Sequence, residues 1–211
     1  FQLWKNSRLL PHLHLPLQSG CDRTLRRMGR RNTCSSFRAL LQTARSAIPD
    51  LSVSTDIMVG FPGESDADFK QSLEFAESMA FTRMHIFRYS RRAGTSAAKM
   101  PAQVSASVAK ERSRHLHNLD VRMQARFRRK FVGRKLDVLW ERAQKHGDGL
   151  CWSGLTPNYL RVLTYTDDEL NLHNVMTETS MLTAVEDGLL GEVLAPFDPS
   201  PFLIKSTNSM P

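Results

Sequence analysis

The stretch LSVSTDIMVGFPGES, residues 51–65, decides the fold of the first half of this chain. Its alternating apolar and polar residues predict a strand over residues 51–59. The glycine- and proline-containing residues 60–64 predict a tight turn that exposes backbone amides. Ser65 is a good N-cap for a helix with an apolar stripe of Phe69, Leu73, Ala76 and Met79. A strand, a turn and a helix in this order are typical of one unit of a parallel α/β sheet.

Two similar units flank this one. The alternation of HLHLPL, residues 12–17, predicts a strand before it, and residues 84–89 predict a strand after it. Predicted helices begin at Asp22, at Ser35 or Ser36, and after Gln103. Three parallel strands are too few to close a barrel, so the sequence predicts an open part of an α/β architecture.

The pattern changes after Phe131, where short apolar runs alternate with Gly, Pro, Asn and Asp. Such spacing predicts a small all-β barrel or sandwich. Its predicted strands are residues 135–140, 160–165, 181–185 and 191–194. We therefore divide the chain into an α/β domain over residues 1–131, a β domain over 132–195 and a loose tail over 196–211.

The net charge of +8 is unevenly distributed. Residues 1–131 hold 23 basic and 10 acidic side chains, whereas residues 132–211 hold 6 and 11. The cations cluster around residues 23–31 and 122–135, which favours a polyanion such as a nucleic acid as partner. A solvated helix face without a partner remains an equal alternative on charge alone.

Composition excludes several classes of protein. No apolar run approaches the roughly 18 residues that a membrane span needs, so no membrane partner is expected. Three scattered cysteines do not make a secreted disulfide framework, which favours the reducing cytoplasm. The chain begins at Phe1 without a leader sequence and reads as a fragment of a longer protein.

Candidate ligand-binding residues fall near the carboxyl ends of the predicted strands, where α/β proteins bind ligands. Because side chains alternate along a strand, His12, His14 and Gln18 share one face. Ser54, Asp56 and Met58 share another by the same rule. Asp56 suits the two hydroxyls of a ribose as hydrogen-bond donors, although a buried ion pair is as good an explanation of a strand aspartate.

The histidines offer a rival site. His12 and His14 form an H-x-H pair that could ligate a metal from one strand face, as in a metal-dependent hydrolase. The other histidines form no second cluster in the sequence, and the cysteine spacings match no zinc or iron-sulfur ligand set. We therefore predict no metal ligand in this chain and expect packed imidazoles instead.

Three blocks of sequence, taken together, resemble one enzyme family. They are HLHLPLQSGCDRTLRRMGRR (12–31), TDIMVGFPGE (55–64) and FRYSRRAGTSAAKM (87–100). Their order and spacing resemble the carboxyl-terminal part of radical S-adenosylmethionine methylthiotransferases, and residues 132–195 are similar to the TRAM domain of these enzymes. Residues 154–162 resemble the branch that acts on threonylcarbamoyladenosine.

The resemblance implies the last three βα units of a partial TIM-type barrel, and an enzyme that adds a methylthio group to C2 of threonylcarbamoyladenosine at position 37 of tRNA. Isopentenyladenosine in tRNA and a ribosomal protein are the substrates of the alternative branches. The implied cofactors are S-adenosylmethionine and 4Fe-4S clusters, and the implied partner is the tRNA anticodon stem-loop.

The resemblance also implies the roles of individual residues. Gln18 and Asp56 would hold the ribose of S-adenosylmethionine, with Ser19 beside them, and Arg30 would pair with its carboxylate. The backbone near Phe87 would contact the adenine. The expected contacts to tRNA phosphates are Arg122, Arg126, Arg128 and Arg129.

The sequence departs from the family in lacking the C-x-x-x-C-x-x-C motif that binds the 4Fe-4S cluster. The cluster ligands are therefore expected in a missing amino-terminal part of the same polypeptide, and no catalytic residue is predicted in this chain. Alone, it is expected to be inactive, and a non-catalytic RNA-binding module is the alternative.

Overall fold

A computed structural model describes residues 1–6, 8–167 and 169–194. The chain divides into two compact units, residues 1–127 and 128–211. In the first unit a short 3-10 helix, Gln2–Lys5, precedes a parallel α/β arrangement. Its strands are β1 (His12–His14), β2 (Ser52–Val59) and β3 (Arg83–Arg88). Its helices are α1 (Asp22–Arg27), α2 (Cys34–Ala47), α3 (Asp66–Met79), α4 (Ser96–Lys99) and α5 (Ala106–Arg129).

The three strands form one parallel sheet with β2 in the centre. β1 is shorter than the predicted residues 12–17, because Pro16 cannot donate to a ladder. Pairing resumes at Gln18, which forms an isolated bridge with Ile57. The predicted α/β class and parallel sheet are thus confirmed for these elements.

One face of the sheet carries the hydrophobic core. Val53, Ile57 and Val59 of β2 are at most 1% exposed and belong to one apolar cluster. Side chains from α2, α3 and α5 complete this cluster, among them Leu41, Phe75 and Leu116. The helices therefore cover the face on which the odd-numbered residues of β2 lie, and the even-numbered residues lie on the other face.

The predicted turn after β2 is confirmed, but its amides are not exposed. Gly60 N–H donates to Glu64 Oε2 at 3.2 Å, and Gly63 N–H donates to the Ala102 carbonyl at 2.7 Å. Gly60 has a φ of 76°, and a Cβ there would lie 2.8 Å from the Ala109 side chain. A larger residue would therefore clash as well as strain the backbone.

Two capping boxes begin the main helices. Ser65 caps α3 as predicted, because its hydroxyl accepts the Asp68 N–H and its own N–H is accepted by the Asp68 carboxylate. The predicted cap of α2 at Ser35 or Ser36 is wrong, since Thr33 is the cap. For α1 the cap is Cys21 rather than Asp22, whose carboxylate instead accepts the Cys34 N–H at 2.7 Å.

The second unit is a closed barrel with strand order β4-β5-β6-β8-β7. Its strands are β4 (Lys135–His146), β5 (Gly149–Leu155), β6 (Arg161–Thr166), β7 (Met176–Val185) and β8 (Gly188–Val193). Trp140 is fully buried inside it, and its indole N–H donates to Thr177 Oγ1 at 2.8 Å. The predicted barrel is confirmed, although β5 was missed and β4 and β7 are longer than predicted. The predicted tail, residues 196–211, lies outside the described residues.

Candidate functional site

The candidate site is the second face of the parallel sheet, which we call the open face. It carries His14 of β1, Asp56 and Met58 of β2, and His85 and Phe87 of β3. All five side chains are half-buried or exposed, in contrast to the opposite face of β2. Because parallel sheets are ordinarily covered on both faces, polar and aromatic side chains on an accessible face mark a place for a ligand or a further part of the protein.

Strand register brings the polar members of the open face together. Asp56 pairs with His85 across β2 and β3, and His14 pairs with Ser54 across β1 and β2. His14 Nε2 lies 3.4 Å from Asp56 Oδ2, and the rings of His14 and His85 meet edge to face with centroids 5.7 Å apart. One ligand atom from each of His14, Asp56 and His85 lies within 4.8 Å of the others.

Two serines beneath the open face orient the histidines of β1. His14 Nδ1 lies 3.0 Å from Ser54 Oγ, and His12 Nδ1 lies 2.7 Å from Ser52 Oγ. Partial burial, together with the neighbouring His14, lowers the pKa of His12. Each pair fixes one ring nitrogen, so in His14 only Nε2 remains to face Asp56.

Gln18 and Asp56 are brought together through the backbone. Gln18 N–H donates to the Asp56 carbonyl at 2.7 Å, and the Gln18 carbonyl accepts the Met58 N–H at 2.9 Å. Gln18 adopts a φ of 71°, a conformation that a non-glycine residue rarely occupies without structural support. These two bonds supply that support and hold the Gln18 backbone, four residues beyond β1, beside the backbone of Asp56.

The other predicted ligand residues differ in their surroundings. Ser19 is 1% exposed, and its hydroxyl contacts Ser72 Oγ at 3.0 Å and accepts the Cys21 N–H at 3.2 Å. Arg30 is exposed just beyond α1, and its N–H donates to the Leu25 carbonyl. Phe87 is 51% exposed on the open face, two residues beyond His85. The fold thus places Asp56 and Phe87 on neighbouring strands, with Gln18 after β1, and no contact joins Arg30 to them among the described residues.

His85 is the site residue that the sequence reasoning missed. The alternation of β3 puts His85 and Phe87 on one face, but only the register with β2 shows that His85 lies beside Asp56. Within the described part of the chain, neither ring nitrogen of His85 has a hydrogen-bond partner. His12, the other half of the H-x-H pair that was considered as a rival metal site, is not a member of this cluster.

The predicted nucleic-acid contacts lie at the end of α5. Arg122, Arg126 and Arg129 are exposed, and Arg128 is half-buried. Every helix within residues 1–6, 8–167 and 169–194 is too short or too polar to span a membrane.

Comparison with known proteins places the chain in a family. The sequence profile of the radical SAM superfamily matches residues 1–76. The threonylcarbamoyladenosine tRNA methylthiotransferase MtaB of Thermotoga maritima is 46% identical over 137 residues, which are 65% of this chain and 32% of that protein. The tRNA-2-methylthio-N(6)-dimethylallyladenosine synthase of Erythrobacter litoralis is 38% identical over 187 residues, 89% of this chain and 41% of that protein.

A solved structure also matches. It is coproporphyrinogen III oxidase (HemN) from Escherichia coli, described as a radical SAM enzyme, with a TM-score of 0.45 and 14% identity over 70% of this chain and 41% of that chain.

The amino-terminal residues are thus part of a radical SAM domain, and the chain belongs to the radical SAM methylthiotransferases, a family of transferases. It spans less than half the length of the two curated relatives described above. Membership of this family implies S-adenosylmethionine and 4Fe-4S clusters as cofactors.

Proposed function

We propose that this chain is the carboxyl-terminal part of a cytoplasmic tRNA methylthiotransferase that modifies C2 of threonylcarbamoyladenosine at position 37. The observation that carries the proposal is the 46% identity to the Thermotoga maritima enzyme named for that nucleoside. Relatives named for dimethylallyladenosine are 35–44% identical, and two of them align with 89% of the chain. Dimethylallyladenosine is therefore the second candidate substrate, and a ribosomal protein is the third.

The open face fits a nucleoside cofactor. The Asp56 side chain is 25% exposed, and its carboxylate forms an ion pair with His14. A carboxylate accepts hydrogen bonds from both hydroxyls of a ribose. Gln18, whose backbone is hydrogen-bonded to that of Asp56, carries a side-chain amide that can both donate and accept. Phe87 presents an apolar surface on which an adenine can pack. In this proposal Gln18, Asp56 and Phe87 hold the nucleoside part of S-adenosylmethionine.

Arg30 and Ser19 have different roles in the proposal. The exposed Arg30 guanidinium is free to bind the methionine carboxylate with two parallel hydrogen bonds. Ser19 contributes by holding the segment after β1 against α3, through its bond to Ser72. Bound S-adenosylmethionine and the clusters supply the radical and sulfur-transfer chemistry, while the residues of this chain bind and orient.

The basic residues of α5 are proposed to contact the tRNA anticodon stem-loop. Arg122, Arg126 and Arg129 are exposed, with Arg128 alongside, and arginine forms strong paired hydrogen bonds with phosphate oxygens. The proposed TRAM-like role of the closed barrel is less easily explained by charge, because residues 132–211 are net acidic. We therefore assign most of the phosphate contact to α5 and its continuation at Lys130.

Taken alone, this chain is proposed to be a non-catalytic RNA-binding part, since its three cysteines do not form the cluster motif. In the longer protein, the open face would lie inside the barrel that the missing amino-terminal part completes. The polar side chains of β1 to β3 would then face a closed cavity.

Nucleoside analysis tests the proposed substrate. The full-length reading frame is expressed in a bacterial strain that lacks its own methylthiotransferases, and total tRNA is digested and analysed by mass spectrometry. We expect methylthio-threonylcarbamoyladenosine to appear and methylthio-dimethylallyladenosine (methylthio-isopentenyladenosine) to stay absent. The reverse result would establish the second substrate, and the absence of both would contradict the proposed activity on tRNA.

A further inference from the structure

The cluster of His14, Asp56 and His85 has a composition that the proposed cofactor site does not require. Two imidazoles and one carboxylate converge from three adjacent parallel strands. Histidine nitrogens together with a carboxylate oxygen are typical ligands of zinc and other divalent first-row transition metals. We propose that these three side chains form a binding site for one such ion, with Zn²⁺ as the representative ligand.

The distances suit this ion. In a tetrahedral site with metal–ligand bonds of about 2.0–2.1 Å, neighbouring ligand atoms lie about 3.4 Å apart. His14 Nε2 and Asp56 Oδ2 are 3.4 Å apart, so this edge of the site already has the required length. The ligand atoms of the three side chains all lie within 4.8 Å of one another, and His85 is exposed on β3, at the edge of the sheet. In this proposal the exposed His85 side chain rotates to bring a ring nitrogen to the ion.

Ser54 supplies the outer contact that metal-binding histidines usually have. The Ser54 hydroxyl lies 3.0 Å from Nδ1 of His14. Because Ser54 is only 6% exposed, this contact is held in place. A partner on one ring nitrogen fixes the ring orientation and leaves the other nitrogen for the metal. Here the free nitrogen is Nε2, which faces Asp56.

All three ligands come from one side of the ion, because they project from one face of the sheet. At least one coordination position therefore points away from the protein and is open to water or to a ligand. Magnesium and calcium prefer oxygen ligands, and a site with two imidazoles selects against them. The structure thus favours a transition metal with an open position.

Asp56 is shared with the proposed nucleoside site, so Zn²⁺ and S-adenosylmethionine would compete for its carboxylate in the longer protein. The two proposals nevertheless stand separately. Metal binding is measured on this chain without S-adenosylmethionine or tRNA, and its failure leaves the methylthiotransferase proposal intact. A negative nucleoside analysis likewise leaves the metal site intact.

The test is equilibrium dialysis of the EDTA-treated chain against ZnCl₂, with bound zinc measured by mass spectrometry. We expect one Zn²⁺ per chain, no competition from millimolar Mg²⁺, and visible absorption bands typical of four-coordinate Co²⁺ when cobalt replaces zinc. His85→Ala and Asp56→Asn should each weaken zinc affinity by at least about 100-fold. Ser54→Ala, which keeps all three ligands, should weaken zinc affinity by about 10-fold, the usual effect of removing an outer contact.

Two histidine variants serve as controls. His117→Ala removes an exposed imidazole on α5 whose Nδ1 lies 2.7 Å from the Ser113 carbonyl, and zinc affinity should stay unchanged. His12→Ala separates the three-strand site from a pair made by His12 and His14, and it should also bind normally. Circular dichroism verifies that each variant is folded.

Three results would overturn the proposal. One is the absence of saturable binding at one ion per chain. Another is unchanged affinity in folded Ser54→Ala and His85→Ala, which would mean adventitious surface binding. The last is a loss in His12→Ala as large as that in His85→Ala, which would assign the metal to the H-x-H pair.

Discussion

Arg112 of α5 donates a hydrogen bond from Nη1 to Glu64 Oε1 at 2.8 Å, and the two side chains are only 6% and 3% exposed. The same Nη1 donates to the Glu64 carbonyl at 3.1 Å, and Nη2 donates to Asp66 Oδ1 at 2.6 Å. Through these bonds the long helix fixes the turn that follows β2. The end of the strand that carries Asp56 is thereby held in place.

Removing one partner of this buried pair should destabilise the first unit strongly. Glu64→Ala leaves the Arg112 guanidinium buried with only the exposed Asp66 as its acidic partner, and we expect a loss of about 3–5 kcal/mol in the free energy of unfolding. The double variant Glu64→Leu with Arg112→Met should lose much less than the sum of the two single changes. Urea denaturation measures all of these values. A loss below about 1 kcal/mol in Glu64→Ala would show that the pair does not hold the turn.

Asp120 predicts a pH dependence of stability. Burial raises the pKa of its carboxyl, although the Met84 N–H at 2.8 Å and the Gln124 amide at 2.7 Å act in the opposite direction. The folded state therefore binds this proton more tightly than the unfolded state. Its contribution to stability is complete below the ordinary aspartate pKa of about 3.9, and it is lost as the pH rises through the raised value.

Asp120→Asn removes this titration and keeps a side-chain oxygen for the Met84 N–H. We expect the free energy of unfolding of the variant, relative to the unsubstituted chain, to increase as the pH rises from about 4 to 7. Urea denaturation at several pH values measures the difference. A difference that is constant over this range would show that Asp120 titrates alike in both states.

The cap of α2 can be tested with neighbouring substitutions. Thr33 Oγ1 accepts the Ser36 N–H at 3.1 Å, so Thr33→Ala should cost about 1 kcal/mol. Ser35 is exposed within the first turn, and among the described residues its hydroxyl accepts no helix N–H, so Ser35→Ala should change stability by less than about 0.5 kcal/mol. Thermal unfolding of the two variants side by side measures both. Equal losses would contradict the assignment of the cap.

The arginines of α5 should set the salt dependence of tRNA binding. Replacing the exposed Arg122, Arg126 and Arg129 with alanine in the full-length protein should weaken tRNA binding and reduce the slope of log K against log salt by about 2–3, or about one for each lost phosphate contact. Replacing the same residues with lysine keeps the charge and should preserve most of the slope. Filter binding at several salt concentrations provides the measurement. An unchanged slope in the alanine variant would remove these residues from the interface.

Periodicity was enough to predict the sheet and its main helices, because the apolar positions of β2, α3 and α5 repeat regularly and caps such as Ser65 lie in plain sequence patterns. It was not enough for β5, whose sequence GLCWSGL contains two glycines that read as turn residues. At Gly154 a Cβ would lie 2.5 Å from the Leu139 carbonyl. The glycine therefore serves close strand packing rather than a turn.

The candidate site was predicted only in part, because alternation along a strand can be read from the sequence but the register between strands cannot. Parity along β2 grouped Asp56 with Met58, and this grouping holds. The grouping of His14 with Gln18 stays a prediction, because β1 ends at His14 and Gln18 has a φ of 71°. The contact between Asp56 and His85 depends on the register of two parallel strands joined through a helix, and no local sequence pattern specifies that register. The role of His85 therefore became visible only in three dimensions.

The central claim is that the open face holds the ribose of S-adenosylmethionine through Asp56. The most direct test is calorimetric titration of S-adenosylmethionine into the full-length protein, with its iron-sulfur clusters in place and any Zn²⁺ removed. Asp56→Ala and Arg30→Ala should each weaken binding by about 1–3 kcal/mol, a factor of roughly 5 to 150 in Kd, while Asp148→Ala in the β4–β5 turn should bind normally. An unchanged Kd in Asp56→Ala would contradict the claim.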